Sequence, residues 1–213
     1  MHVPTPIAYA FLRAFVRLLL WIFFRSVTVD HGERLPKTGP VIIVGNHQNG
    51  LVDPGLFLAF LPRAAQFLGK HTLWQTWILR PFLALAGAIP VYRPQDGAES
   101  AKNDVMFAKC VDALRDGRCI AIFPEGVSND APSLRPLKTG AARIALRAAA
   151  TCAPTTVSVV PVGLTFDAKT RFRSEALLTV GEPITITATA DDTTTSGAVR
   201  ALTERIRRSL EAV

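Results

Sequence analysis

Cysteine, histidine and charge are all scarce in this chain, and each scarcity narrows what it is able to do. The three cysteines (Cys110, Cys119, Cys152) are odd in number and lack any Cys-x-x-Cys spacing. A disulfide framework and a thiolate zinc site are therefore not expected, and a reducing compartment fits better. Each cysteine stands in an apolar stretch and reads as a small buried hydrophobe. The four histidines (His2, His31, His47, His71) show no metal-ligand spacing, so no metal is expected, and no other cofactor is called for. A Gly-x-Ser-x-Gly elbow is absent, which removes the usual signature of a serine nucleophile. There is no internal repeat, and 213 residues suit one α/β domain. Long uncharged runs are also missing near the N-terminus. Arg13 and Arg17 interrupt the apolar stretch from Ile7 to Phe24, and the longest uncharged run left is Leu18 to Phe24. A membrane span needs about 20 apolar residues.

What is present is apolar and basic. Hydrophobic residues make up 49% and charged residues 19%, with a formal net charge of +7. An anionic partner fits that sign: nucleic acid, an acidic membrane face or a phosphorylated small substrate. The apolar content favours a membrane surface, and the dispersed basic residues match no nucleic-acid-binding motif. In the N-terminal stretch Arg13 and Arg17 stand four apart on one helical side, while Ile7, Phe11, Phe15, Leu18 and Ile22 follow another. That pattern predicts an amphipathic helix over residues 1–26 lying in the membrane interface, with Trp21 as a headgroup-level anchor. The alternative is a helix packed on the protein's own core. A signal peptide fits worse, since the first six residues carry no Lys or Arg and no small-residue cleavage site follows.

The remainder, residues 27–213, alternates short buried strands with helices. Strands are predicted at 27–31, 41–44, 66–68, 88–92, 119–123 and 157–164, with two further pieces in 177–187 around Gly181-Glu182-Pro183. Helices are predicted from about Pro54, over 73–86 with a break at Arg80-Pro81, over 102–116 with Val105, Val111 and Leu114 as its apolar positions, and over 140–150. Residues 191–197 read as a polar linker before a closing amphipathic helix that buries Val199, Leu202, Ile206 and Leu210. This alternation predicts a single α/β domain with a largely parallel sheet flanked by helices, preceded by the membrane-associating helix.

Four clusters at predicted strand ends carry the chemistry. In Asn46-His47-Gln48-Asn49-Gly50-Leu51-Val52-Asp53-Pro54, a neutral imidazole at His47 is able to take an alcohol proton if Asp53 fixes its tautomer. The two are six apart, so Gly50 must supply a turn. Asp53-Pro54 also reads as a helix N-cap followed by Pro at the first helical position. In Gly87-Ala88-Ile89-Pro90-Val91-Tyr92-Arg93, Arg93 offers a two-pronged grip on phosphate, or is simply a solvated strand-end residue. In Phe123-Pro124-Glu125-Gly126, followed by Lys138-Thr139-Gly140, Gly126 allows close backbone approach to a ligand. Glu125 there receives an acceptor hydroxyl, braces the basic residues, or pairs structurally with an Arg. Val160-Pro161-Val162-Gly163 has no proton-transfer group and offers only shape, such as the wall of an acyl slot.

In this order the four clusters resemble the glycerolipid acyltransferase family, which includes lysophosphatidic acid and glycerol-3-phosphate acyltransferases. The resemblance runs from about Leu35 to Pro183 and takes in Gly181-Glu182-Pro183-Ile184. Two features depart from the commoner pattern. Five residues separate His47 from Asp53 where four are usual, and Val127-Ser128-Asn129 stand where an Arg often follows the glutamate block. The His-x-Asn-x-x-x-Asp-Pro form is similar to a branch with fungal-type glycerol-3-phosphate and dihydroxyacetone-phosphate acyltransferases.

The resemblance implies an O-acyltransferase of phospholipid biosynthesis, with residues 27–213 as its catalytic domain at the cytoplasmic face of a membrane, peripheral or monotopic. Its partners would be an anionic lipid surface, acyl-CoA or acyl carrier protein as donor, and a glycerol-phosphate-type acceptor (lysophosphatidic acid or glycerol-3-phosphate). His47 would act as base and Asp53 as its orienting acid. Arg93, Glu125, Gly126, Lys70 and Lys138 would bind substrate, and backbone N–H groups near Gly126 would steady the oxyanion, worth about 3 kcal/mol. Two other classes compete: a thioester hydrolase using the same pair on water, and a non-catalytic lipid-binding module at a membrane surface.

Overall fold

The computed structural model describes residues 6–92, 101–128, 133–152, 156–187 and 195–213. Among these residues, eight strands form the sheet: β1 (Ser26–Asp30), β2 (Val41–Gly45), β3 (Gln66–Lys70), β4 (Ile89–Val91), β5 (Cys119–Ile122), β6 (Val157–Phe166), β7 (Glu175–Val180) and β8 (Ile184–Ile186). The described residues also form six α-helices: α1 (Pro6–Phe23), α2 (Val52–Phe60), α3 (Leu79–Leu85), α4 (Ala101–Arg115), α5 (Gly140–Cys152) and α6 (Ser196–Glu211). The strand order is β1-β7-β6-β2-β5-β3-β4, with β8 pairing β6. Pairings are parallel except where β6 meets β7 and β8. The expected single α/β domain with a largely parallel sheet is what forms.

The continuous apolar run Val41-Ile42-Ile43-Val44 follows from its place between β5 and β6, where both faces are covered. Ile42 and Val44 enter the core beneath α4, α5 and α6, whereas Val41 and Ile43 enter the core beneath α1 and α2. The edge strand β1 instead alternates exposed and half-buried residues. Val160 and Val162 are fully buried inside β6. The apolar Pro motif is therefore sheet core and not the wall of an acyl slot. Cys110 and Cys119 are buried, and burial pushes both thiols up to about 12, as befits small hydrophobes.

Several local expectations shift. The apolar stretch after β3 forms a 3₁₀ turn over His71–Gln75 and then α3, so the interruption lies at 76–78 while Arg80 and Pro81 sit in α3's first turn. Proline is tolerated there because its missing N–H has no helical partner in any case. On α4 the buried residues are Met106, Cys110, Ala113 and Leu114, and Val105 faces solvent. Val199, Leu202, Ile206 and Leu210 do form the buried face of α6. Most of the polar linker at 191–197 lies outside the described residues.

The orientation of α1 is informative. Leu12, Leu20 and, just past the helix, Phe24 dock on the domain, each burial contributing about 1.5–3 kcal/mol. Arg13 donates from Nε to the Ala59 carbonyl (3.2 Å) and from Nη2 to the Leu61 carbonyl (2.8 Å), satisfying oxygens that the C-terminus of α2 leaves without helical partners. The Arg17 guanidinium lies over the Phe60 ring at 5.2 Å. The cationic side thus meets the protein, and Ile7, Phe11, Leu18, Trp21 and Ile22 point outward. The docked flank is that of a helix packed on the protein's own core, and the opposite flank is left apolar and exposed. With 18 residues, α1 is also long and apolar enough to cross a membrane by length and composition.

Candidate active site

The carboxyl ends of β2, β3, β4 and β5 open on one side of the sheet, where α/β domains place ligands. β2 ends at Gly45, and the chain is held there by Asn46. Its side chain donates to the Leu164 carbonyl (2.9 Å) and accepts from the Leu164 N–H (2.7 Å), extending the β2–β6 pairing by one residue. His47 follows. Its backbone N–H donates to Glu125 Oε1 at 2.7 Å, which ties the imidazole's base to the loop after β5.

The chain then turns through Gly50, whose φ of +39° suits a residue without a side chain. The turn brings Asp53 back under His47. Asp53 Oδ2 lies 2.8 Å from His47 Nδ1 and accepts the backbone N–H groups of Gln48 and Asn49, both at 2.7 Å. Asp53 is 0% exposed and the His47 side chain 17%. A carboxylate only accepts, so Nδ1 carries the proton and Nε2 keeps its lone pair for an incoming hydroxyl. Asp53 is not an N-cap, because α2 has already begun at Val52. Its side chain serves the loop before the helix instead.

The imidazole is also held by a ring. His47 stacks on Phe123 with centroids 4.5 Å apart and planes 20° apart, and Phe123 packs on Phe57 at 5.3 Å. Gly45 is what lets these rings approach. A Cβ there would fall 2.6 Å from Phe57 and 3.2 Å from Phe123. Gly45→Ala should therefore cost about 1–3 kcal/mol of stability and slow turnover by displacing Phe123 from His47. Thermal unfolding beside initial rates checks both, and a variant indistinguishable from the parent would show that this packing is slack.

Phe123, which stacks on His47, also lines a cavity of about 250 Å³, although neither His47 nor Asp53 is among its lining residues. Leu68, Met106 and Ile144 contribute apolar wall, and Lys70, Lys138 and Arg143 contribute cations. The sequence-predicted binding residues Lys70, Gly126 and Lys138 all line it, together with Phe123. Gly126 has φ +76°, and the Lys138 side chain passes where its Cβ would stand, 2.8 Å away. Its own N–H donates to the Phe123 carbonyl at 3.0 Å, so that group is spent in the turn and does not serve as the expected oxyanion donor.

Glu125 is buried, with both oxygens engaged by backbone: Oε1 by His47 and Oε2 by Arg135 (3.2 Å). Those contacts brace two loops. Arg93 lies outside the described residues. Arg143 was not singled out from sequence, although it stands in the first turn of α5, three residues after Gly140 and five after Lys138. That spacing was the available signal. Among the described residues, no three His, Cys, Asp or Glu side chains gather as metal ligands.

Comparison with known proteins gives a consistent picture. The family model described as Acyltransferase matches residues 26–165. A 1-acyl-sn-glycerol-3-phosphate acyltransferase of Borreliella burgdorferi is 30% identical over 151 residues, covering 71% of this chain and 58% of the relative. Glycerol-3-phosphate O-acyltransferase 2 of Saccharomyces cerevisiae is 45% identical over 89 residues, covering 42% of this chain and 12% of the relative. This chain thus spans little more than half of one of these relatives and a small part of the other. The crystal structure of the 1-acyl-sn-glycerophosphate acyltransferase of Thermotoga maritima shares the fold, with a TM-score of 0.67 at 20% identity over 96% of this chain and 78% of that one.

Proposed function

This chain belongs to the acyltransferase family, and from that premise we propose that it moves a fatty acyl group from a thioester donor, acyl-CoA or acyl carrier protein, to the hydroxyl of a glycerol-phosphate-type acceptor in phospholipid biosynthesis. The observation that carries the reading is the 2.8 Å contact of Asp53 with His47 Nδ1 at a strand end, with Phe123 shared between His47 and a cation-lined cavity. His47 Nε2 takes the acceptor's hydroxyl proton as that oxygen attacks the thioester carbonyl. The carbon–sulfur bond then breaks, and the imidazolium returns its proton to the departing thiolate. Asp53 steadies the imidazolium while it lasts. Lys70, Lys138 and Arg143 hold the acceptor phosphate, with Arg93 as a further ligand. Glu125 acts by positioning His47.

We place the reaction at the cytoplasmic face of a membrane. The outward apolar side of α1 supports this, as do exposed Trp77 and Ile78 just before α3, which meets α1 through the stacked Phe15 and Phe82 (5.9 Å). An anionic lipid face matches the net charge of +7.

The acceptor is either glycerol-3-phosphate or lysophosphatidic acid, and relatives with both names are similar to this chain. Incubating the protein with acyl-CoA or acyl carrier protein and each acceptor in turn, with mass detection of the product, tests the proposal. Acyl transfer to at least one acceptor is expected, with little thioester cleavage when acceptor is omitted. Cleavage at the same rate with and without acceptor would make the protein a hydrolase.

A further inference from the structure

The tip of the β6–β7 hairpin, Asp167 to Ser174, has no part in the chemistry above, yet it is joined to both the active-site loop and the end of α1. On one side Asn49 Nδ2 donates to the Lys169 carbonyl (3.2 Å), and Lys169 Nζ donates to the Gln48 carbonyl (3.3 Å). On the other, the Arg173 N–H donates to the Phe23 carbonyl (2.7 Å) and the Arg25 N–H to the Ser174 carbonyl (2.8 Å). The neck is closed by Asp167 Oδ1, which accepts the N–H groups of Ala168 and Glu175, both at 2.7 Å. Arg173 sits at φ +62°, a conformation few side chains adopt without such ties.

This braced tip presents Phe172, 61% exposed, between the exposed Arg171 and Arg173. A lone surface Phe needs no explanation. Phe172, however, sits against the end of α1: its ring meets the half-buried Phe23 edge-on at 6.2 Å, next in sequence to the exposed Trp21 and Ile22. Arg171 pairs with Asp167 only loosely, at 3.4 Å and with 70% of its side chain exposed. An aromatic ring flanked by two cations matches a surface with negative headgroups above an apolar interior.

We propose that the β6–β7 tip is a second docking point for an anionic bilayer, with Phe172 entering the acyl boundary and Arg171 and Arg173 meeting lipid phosphates. The inference rests on the membrane reading given above. Because the tip grips Gln48 and Asn49, docking through it fixes the mouth beside His47 relative to the lipid surface.

Sedimentation of the whole chain with vesicles of phosphatidylcholine, alone or mixed with phosphatidylglycerol, tests this. Phe172→Ser should weaken partition into both vesicles about tenfold, and Phe172→Trp should restore it. Arg171→Gln with Arg173→Gln should weaken binding about tenfold on the mixed vesicles only. All variants should unfold at the parent's midpoint, since these side chains are exposed. Parent-like binding by both the Phe172→Ser and the arginine variants, with loss confined to Trp21→Ser on α1, would overturn the inference and spare the membrane reading. Failure of the parent itself to bind either vesicle would overturn both.

Discussion

Replacing His47 by alanine is expected to lower acyl transfer about a thousandfold, within the range that a positioned general base supplies, while the protein stays folded. The imidazole is partly exposed and gives Asp53 only one of the three donors that Oδ2 receives. The Gln48 and Asn49 N–H groups remain, so the carboxylate is not stranded. The lost hydrogen bond should cost about 1 kcal/mol. Steady-state rates beside a denaturant titration separate the two quantities. Parent-like turnover in the alanine variant would mean that the proton goes elsewhere, and the mechanism would have to be withdrawn.

Asp53 should show the opposite balance between its variants. In Asp53→Ala the two backbone donors lose their acceptor inside the protein, and each buried unsatisfied group costs about 1–3 kcal/mol. A stability loss of about 3–5 kcal/mol is expected, enough to unfold many domains. Asp53→Asn keeps an oxygen able to accept those N–H groups, so it should lose only about 1–2 kcal/mol. Its activity should nonetheless fall about a thousandfold, because a neutral amide lacks the negative charge that stabilises an imidazolium. The informative result is thus a well-folded, nearly inactive Asn variant beside an unstable Ala variant. An Asn variant with normal turnover would reduce Asp53 to scaffolding.

Much of this was readable before any coordinates, for identifiable reasons. The buried strands showed as compact β-branched runs because a central parallel strand is covered on both faces. The closing helix showed in Val199, Leu202, Ile206 and Leu210 because that helix has one wet and one dry side. The pairing of His47 with Asp53 was legible as a need for a turn, and Gly50 supplies it. What escaped were relations between distant segments. Nothing local to Glu125 says that its carboxylate accepts the N–H of a residue 78 positions earlier. The stacking of Phe123 on His47 and the closeness of Arg143 to Lys138 around one cavity are likewise products of the fold. The sequence pattern of α1 correctly separated its two sides. Its cationic side went to the protein because the end of α2 offers carbonyl oxygens that need donors.

That last contact makes α1 something other than a detachable tether. The helix it caps at one end begins, at the other, with the turn that carries Asp53. Cutting away the greasy segment to obtain a water-soluble enzyme would therefore disturb the acid that orients His47. Recolouring only its outer side, from oily to polar, would keep the machine whole and, on the membrane reading proposed above, release it from the bilayer.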